Sequence, residues 1–186
     1  IEKLSIPIEY EKPSTETKFD GLLITVDCQY GQMNVTKFEA EHVAVIDHHQ
    51  GQPQAEFAEI NPLLGSCSTL CWRLLQEVGY NILDDKELCT GLYYGLMTDT
   101  GNFRFENTTS NVFNAVADLV DMGANPNKLY KNCYETKTKN FVMFQNYCVN
   151  KAEFLNDNKI AYTTVYKKDL EKFAAGEDYT DGIAET

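Results

Sequence analysis

The chain has 186 residues, with 28 Asp and Glu against 16 Lys and Arg, and a formal net charge of −12. That length fits one domain with a sizeable core, and the acidic balance excludes a broad basic surface for long nucleic acid, where neutralising phosphates dominates affinity. No run is long and apolar enough to span a membrane, and the start at Ile1 carries no basic and apolar leader, so a soluble, cytoplasmic protein without a membrane partner is expected.

Residues 1–20 alternate charged and apolar side chains around Pro7 and Pro13 and read as a strand or linker. Leu22 to Val26 is a short, continuously apolar run that reads as a buried strand and ends in Asp27. A second such run, Val43 to Ile46, ends in Asp47-His48-His49. The fifteen residues between Asp27 and Val43 suffice for a parallel crossover, which would set the two acid-bearing strand ends side by side. Open α/β sheets keep their ligands at that carboxyl edge. A carboxylate and two consecutive imidazoles can supply a metal ligand, its orienting partner and a phosphate contact, although a surface turn accounts for the triplet taken alone equally well. His42 reads as solvated, and Phe57 to Ile60 as a further short strand.

Ser66 or Ser68 can cap a helix with Leu70, Cys71, Leu74, Leu75 and Val78 inward and Gly79 as its stop. Its N-terminal amides could hold a phosphate, with Ser68 as a candidate contact, although capping alone explains the serines. The next helix, Asp85 to Met97, opens at Asp84-Asp85-Lys86-Glu87, buries Leu88, Cys89, Leu92, Tyr93, Leu96 and Met97, and runs out in Thr98-Asp99-Thr100-Gly101. A carboxylate at that negative end of the helix dipole is disfavoured by about 0.3–1 kcal/mol unless a cation offsets it. If Phe103-Arg104-Phe105 is extended, Arg104 points away from both rings, and its guanidinium suits a phosphate, with a surface salt bridge as the competing account. Ser110 begins a helix with Val112, Phe113, Val116, Leu119 and Val120 inward, and Asn125-Pro126 starts another carrying Leu129, Tyr130, Cys133 and Tyr134. A third spans about 137–150 on Phe141, Phe144, Tyr147 and Cys148. Ala152 to Asn156 pairs with Lys159 to Tyr166 across Asp157-Asn158, and a short helix runs to about Ala175. The expected fold is α/β, a parallel sheet flanked by helices with a helical second half and a C-terminal strand pair. The six cysteines lack paired zinc spacing and read as small buried hydrophobes, Cys67 and Cys71 lying four apart on one helix face.

Three ordered segments, Asp27 in Val26-Asp27-Cys28-Gln29, Asp47-His48-His49, and Thr98-Asp99-Thr100-Gly101-Asn102-Phe103-Arg104-Phe105, resemble the second, third and fourth motifs of the DHH phosphoesterases. Ser66-Cys67-Ser68-Thr69 and Asn107-Thr108-Thr109 sit where that family has similar polar segments. The chain is most similar to the bacterial branch that degrades short oligoribonucleotides, 3′-phosphoadenosine 5′-phosphate or related small nucleotides. The resemblance implies a manganese-dependent hydrolase with a two-metal site. Asp27 would bridge the two ions, His48 and Asp99 would bind the second, His49 would face the scissile phosphate, and Asp47 would orient its neighbouring imidazole. Arg104 and Ser68 are the expected substrate contacts.

One departure matters. The family's first motif, a histidine followed closely by two aspartates, belongs upstream of Asp27, and no histidine precedes His42. At most one Mn2+ and little or no turnover are therefore expected of the chain as it stands. It reads as an N-terminally truncated DHH domain over residues 1–175, with 176–186 as a linker to a C-terminal domain, and a homodimer is allowed. Two alternatives stand beside this: an inorganic pyrophosphatase of the same superfamily, and a non-catalytic module that binds a nucleotide.

Overall fold

The computed structural model describes residues 17–32, 35–81, 85–175, 177–180 and 183. The readings for residues 1–16, for Asp84 at the second helix start and for most of 176–186 lie outside these. The chain divides into two compact units, Ile1–Leu129 and Tyr130–Thr186.

In the first unit, β1 (Lys18–Val26), β2 (Glu39–Asp47) and β3 (Phe57–Ile60) form a parallel sheet in the order β1-β2-β3. The expected crossover does bring the acid-bearing ends together. Thr25 pairs with Val45 and Val26 with Ile46, and the Asp27 amide donates to the Ile46 carbonyl at 3.0 Å. No helix occurs among the described residues between β1 and β2. Instead the Thr25 hydroxyl holds the Cys28 carbonyl, and the Tyr30 hydroxyl donates to that of Phe38.

Continuous apolar runs predict strands buried on both faces, but β1 alternates. Leu22, Ile24 and Val26 are half exposed, and so is Phe57, which shares their face through the register Ile24↔Ala44↔Phe57. The opposite face of β2, with Val45 buried, is covered by α1 (Cys67–Glu77). Of the two serines that could cap α1, Ser66 does so, accepting from the Thr69 amide at 3.1 Å. Gly79, at φ +70, ends it. The buried set is Cys67, Thr69, Leu70 and Trp72, while Val78, expected inward, is exposed.

α2 (Lys86–Asp99) is capped by Asp85, whose carboxylate accepts from the Leu88 amide at 2.9 Å, and buries Cys89, Leu92, Tyr93, Leu96 and Met97 as expected. A Cβ on Gly95 would overlap the Ser68 hydroxyl, so α1 and α2 cross closely there. α3 (Ser110–Asp121) turns Val112, Ala115 and Leu119 inward, and Phe113 and Val120 are exposed instead. Phe113 lies against the ring of Phe103, centroids 5.9 Å apart, which draws it off the core stripe. α4 (Pro126–Tyr130) buries only Leu129.

The second unit consists of a π-helical turn (Lys131–Glu135), α5 (Lys139–Asn150), an antiparallel pair β4 (Glu153–Leu155) and β5 (Ile160–Tyr162), α6 (Lys167–Lys172) and a 3₁₀ turn (Glu177–Thr180). The pair is shorter than expected because Asn156, Asp157 and Asn158 all adopt positive φ, which Asn and Asp tolerate better than most residues. Phe144 and Cys148 form its core, and the rings of Phe144 and Tyr147 lie against Phe173. Among the described residues no helix is long and apolar enough to cross a membrane.

Asp169 ties this unit together. It accepts from the Tyr166 amide at 3.0 Å, the Tyr147 hydroxyl at 2.9 Å and the Lys151 ammonium at 3.5 Å. The Tyr166 amide first, then Tyr147 and Lys151, hold its carboxyl below the usual carboxylate range. A carboxyl depressed in the folded chain contributes fully above its unfolded value of about 4 and loses that contribution as pH falls through the lowered value. Asp169→Asn is therefore expected to lower the melting temperature at pH 7 by a few degrees, with the gap to wild type closing in scans below about pH 4. A gap that stays constant from neutral to acid pH would contradict this.

Candidate metal centre

Four side chains gather where β1 and β2 end. Asp27 is the first residue beyond β1 and adopts φ 59, a left-handed conformation that Asp enters more readily than most residues. Asp47 closes β2, and His48 and His49 follow it. One candidate ligand atom from each of Asp27, Asp47, His48 and His49 lies within 4.8 Å of the others. The parallel register alone brings together residues twenty positions apart.

His48 is held from behind. Its Nδ1 lies 3.2 Å from the Leu64 carbonyl, and because a carbonyl only accepts, Nδ1 carries the proton. In the neutral ring Nε2 is then a bare lone pair, and it faces Asp27 Oδ1 at 3.4 Å and Asp99 Oδ2 at 3.8 Å. A lone pair aimed at two carboxylates is repulsive unless a cation lies among them. Asp99, the last residue of α2, thus faces His48 from a third element.

Asp47 and His49 form a second pair. Asp47 is fully buried, and its Oδ1 accepts from the His49 amide at 3.1 Å and its ring Nδ1 at 2.7 Å. Burial pushes the Asp47 carboxyl up, but the His49 ring and amide, with the Gln29 amide close by, more than offset it and leave it below its usual range. The same contact raises His49, and the carboxylates of Asp27 and Asp99 add to the effect. Gln29 Nε2 donates to the His49 carbonyl at 2.9 Å, fixing the turn. Asp47 Oδ2 is buried without a hydrogen-bond partner among the described residues. Buried carboxylate oxygens normally find a donor or a cation.

Asp99 is positioned by backbone groups. The first amide of α1, that of Cys67, donates to its carboxylate, although burial and the nearby Asp27 charge together leave the carboxyl raised. Asn107 Nδ2 bridges the carbonyls of Gly65 and Asp99 at 2.9 and 3.1 Å, clamping the end of α2 to the loop before α1. The roles of Gln29, Leu64, Cys67 and Asn107 escaped the sequence, since Leu64 and Cys67 act through backbone groups that any residue possesses. The Asn107-Thr108-Thr109 segment was the one visible signal.

Arg104 departs from its conditional reading. Gly101, Asn102 and Phe103 all have positive φ, so the segment is a turn rather than extended, and Phe103 packs on Tyr93 and Phe113. A Cβ on Gly101 would overlap the Phe105 ring, so glycine is required there. Arg104 is exposed, with its Nε donating to the Gly101 carbonyl at 2.8 Å, two residues beyond Asp99. Ser68 packs at the α1–α2 crossing, and His42 is exposed and paired with Glu56 at 2.7 Å, away from the cluster's ligand set.

The donors fit a divalent cation. Two carboxylates and two imidazoles converge, with Asp99 facing His48 from α2, and hard oxygen with borderline nitrogen suits Mn2+ or its neighbours better than thiophilic ions.

No protein-family model matches the chain. The bifunctional oligoribonuclease and PAP phosphatase NrnA of Bacillus subtilis is 28% identical over 136 residues, covering 69% of this chain and 41% of that protein. The A-adding tRNA nucleotidyltransferase of Aquifex aeolicus is 28% identical over 144 residues, covering 76% of this chain and 17% of its own length. An exopolyphosphatase-related protein from Bacteroides fragilis shares the fold with a TM-score of 0.75 at 21% identity, over 88% of this chain and 50% of that one. The chain spans less than half the length of the curated relatives it matches. With Asp27, Asp47-His48-His49 and Asp99 brought to one sheet edge, in this fold and with these relatives, the chain resembles the DHH phosphoesterases.

Proposed function

We propose that the cluster of Asp27, His48 and Asp99 holds one divalent cation, Mn2+ in preference, and that the domain serves a phosphoesterase acting on small nucleotides. The observation that carries this is the His48 ring, locked by the Leu64 carbonyl with its Nε2 lone pair between Asp27 and Asp99. The substrate class rests on the relative named as an oligoribonuclease and PAP phosphatase.

A divalent ion in such a site supplies water activation and charge neutralisation at phosphate oxygens. The chain's own groups do the rest. His49, exposed and with its Nδ1 anchored on Asp47, presents its other nitrogen, and its raised proton affinity favours a charged ring that hydrogen-bonds a phosphate oxygen. Asp47 is its positioning residue. Arg104, anchored at Gly101 on the loop after Asp99, is proposed as a second phosphate contact. For Ser68 the packing against Gly95 competes with a substrate role.

Two experiments test this. Calorimetric titration of Mn2+ into the chain is expected to give at most one site, and Asp27→Asn or His48→Asn is expected to weaken it by more than about 10-fold, the loss typical even of outer partners of a metal ligand. Two tight sites, or binding indifferent to both changes, would sink the assignment. In a second series, a diribonucleotide, 3′-phosphoadenosine 5′-phosphate and inorganic pyrophosphate are titrated with and without Mn2+. Metal-dependent nucleotide binding that weakens in Arg104→Ala is expected, and a chain that takes pyrophosphate but neither nucleotide belongs instead to the pyrophosphatase reading. Ser68→Ala separates packing from contact: loss of stability at unchanged nucleotide affinity assigns Ser68 to the helix crossing.

A further inference from the structure

Cations are unevenly placed along the chain. The second unit, residues 130–186, holds 8 of the 16 Lys and Arg against 9 of the 28 Asp and Glu, which leaves nearly all of the net −12 on residues 1–129. Within this near-neutral unit three lysines share two tyrosines. The Lys151 ammonium lies 5.4 Å from the ring centroid of Tyr147 and 5.3 Å from that of Tyr166. Lys172 lies over the same Tyr147 ring at 5.1 Å and over Phe173 at 5.4 Å, and Lys168 over the same Tyr166 ring at 5.5 Å. Ring faces attract ammoniums, so the aromatic side chains gather three long, flexible cations in one place.

Their charge is not balanced there. Of the three, only Lys151 has an ion-pair partner among the described residues, Asp169 at 3.5 Å. That carboxylate is buried and also accepts from the Tyr166 amide and the Tyr147 hydroxyl. Lys168 and Lys172 are both exposed and four positions apart on α6, a spacing at which like charges repel. A bound anion relieves that repulsion, and clustered ammonium donors suit phosphate oxygens.

We propose that Lys151, Lys168 and Lys172 form a phosphodiester-binding patch for the backbone of a short single-stranded oligonucleotide, with Tyr147 and Tyr166 positioning the ammoniums. Immobilising a lysine costs conformational freedom, and rings that hold the ammoniums beforehand lower that cost. The Tyr166 ring is itself half exposed among the cations, which favours a nucleic acid over a bare anion, because every base has a face that packs on an aromatic ring. This choice of ligand rests on the phosphoesterase reading, but the patch includes no residue of the metal cluster and so binds without metal.

Fluorescence anisotropy of labelled pentauridylate with the whole chain, in EDTA, tests this. Wild type is expected to bind, with an affinity that falls as salt rises. The double variant Lys168→Ala/Lys172→Ala is expected to bind at least about 10-fold more weakly at low salt, and its plot of log affinity against log salt to flatten by about 0.7 per lost phosphate contact. Lys131→Ala/Lys139→Ala, which removes two lysines of the same unit outside the patch, is expected to match wild type. Tyr166→Phe keeps the ring and is expected to keep the affinity, whereas Tyr166→Leu weakens it. Circular dichroism confirms the fold of each variant. No binding by wild type without metal, a Lys168/Lys172 variant that binds like wild type, equal loss in the Lys131/Lys139 variant, or a folded Tyr166→Leu chain indistinguishable from wild type would each overturn the proposal. So would attachment to phosphatidylserine vesicles without binding of pentauridylate, which marks a membrane surface instead. Failure here leaves the Mn2+ titration standing, and failure of that titration leaves this metal-free binding standing.

Discussion

The hydrogen bond from His48 Nδ1 to the Leu64 carbonyl is the constraint on which the centre depends. A backbone carbonyl accepts and never donates, so this contact selects one tautomer and leaves Nε2 basic. Without it the ring could turn a proton toward Asp27 and Asp99 and satisfy both acids as an ordinary hydrogen-bonded pair. With it, the neutral tautomer turns a bare Nε2, and no proton of its own, toward the two carboxylates. Leu64 can do this because the Asn61 to Leu64 turn places its carbonyl under the ring, and because Gly65 behind it leaves room that a side chain would fill against Asn107 and Val112.

The same economy governs the acids. Asp99 sits at the end of α2 that disfavours negative charge, and burial and Asp27 raise its carboxyl further. It is offset by the opposite end of another helix, through the Cys67 amide, so the negative end of α2 meets the positive end of α1 at one carboxylate. The close approach at Gly95 and Ser68 and the Asn107 clamp keep those two ends in register. Asp27 takes its place by a different route, a left-handed turn immediately after β1 that keeps its amide on Ile46. Two strands and two helix ends therefore bring Asp27, Asp47 and Asp99 around His48 and His49, and the core of the first unit holds those ends still.

Sequence reasoning reached the strands, their parallel order and the three acids because each has a local signature: an apolar run, an abrupt acid at its end, a helix of the right length. It missed how far each helix is rotated. In α1 and α3 the apolar residues occupy a wider arc than the core covers, so periodicity alone chose Val78 and Phe113 where the structure buries Trp72 and Ala115. It also missed β1's half-exposed face, since Leu22, Ile24 and Val26 carry no mark that distinguishes them from buried neighbours. The extended conformation considered for Phe103 to Phe105 does not occur because Phe103, a bulky residue, adopts φ 64, a conformation no propensity assigns to it. The backbone donors and acceptors of Leu64 and Cys67 are invisible in any sequence, although they decide what His48 and Asp99 can do.

On the proposed reading, an acidic chain that binds phosphate needs a local reversal of sign. With a net charge of −12, long-range electrostatics repel an anionic ligand. His49 offers one positive group, held charged more readily than a free imidazole by Asp47, and Arg104 a second, but Asp27, Asp47 and Asp99 outnumber them. Mutual repulsion between the Asp27 carboxylate and its neighbours Asp47 and Asp99 is what an ion would relieve, and the relief is largest where water is excluded, around buried Asp47 and nearly buried His48. Small ligands follow from this arrangement more readily than long ones. Attraction then operates only within about a Debye length of the centre, 8–10 Å at physiological salt, which spans one or two phosphates and not an extended polyanion.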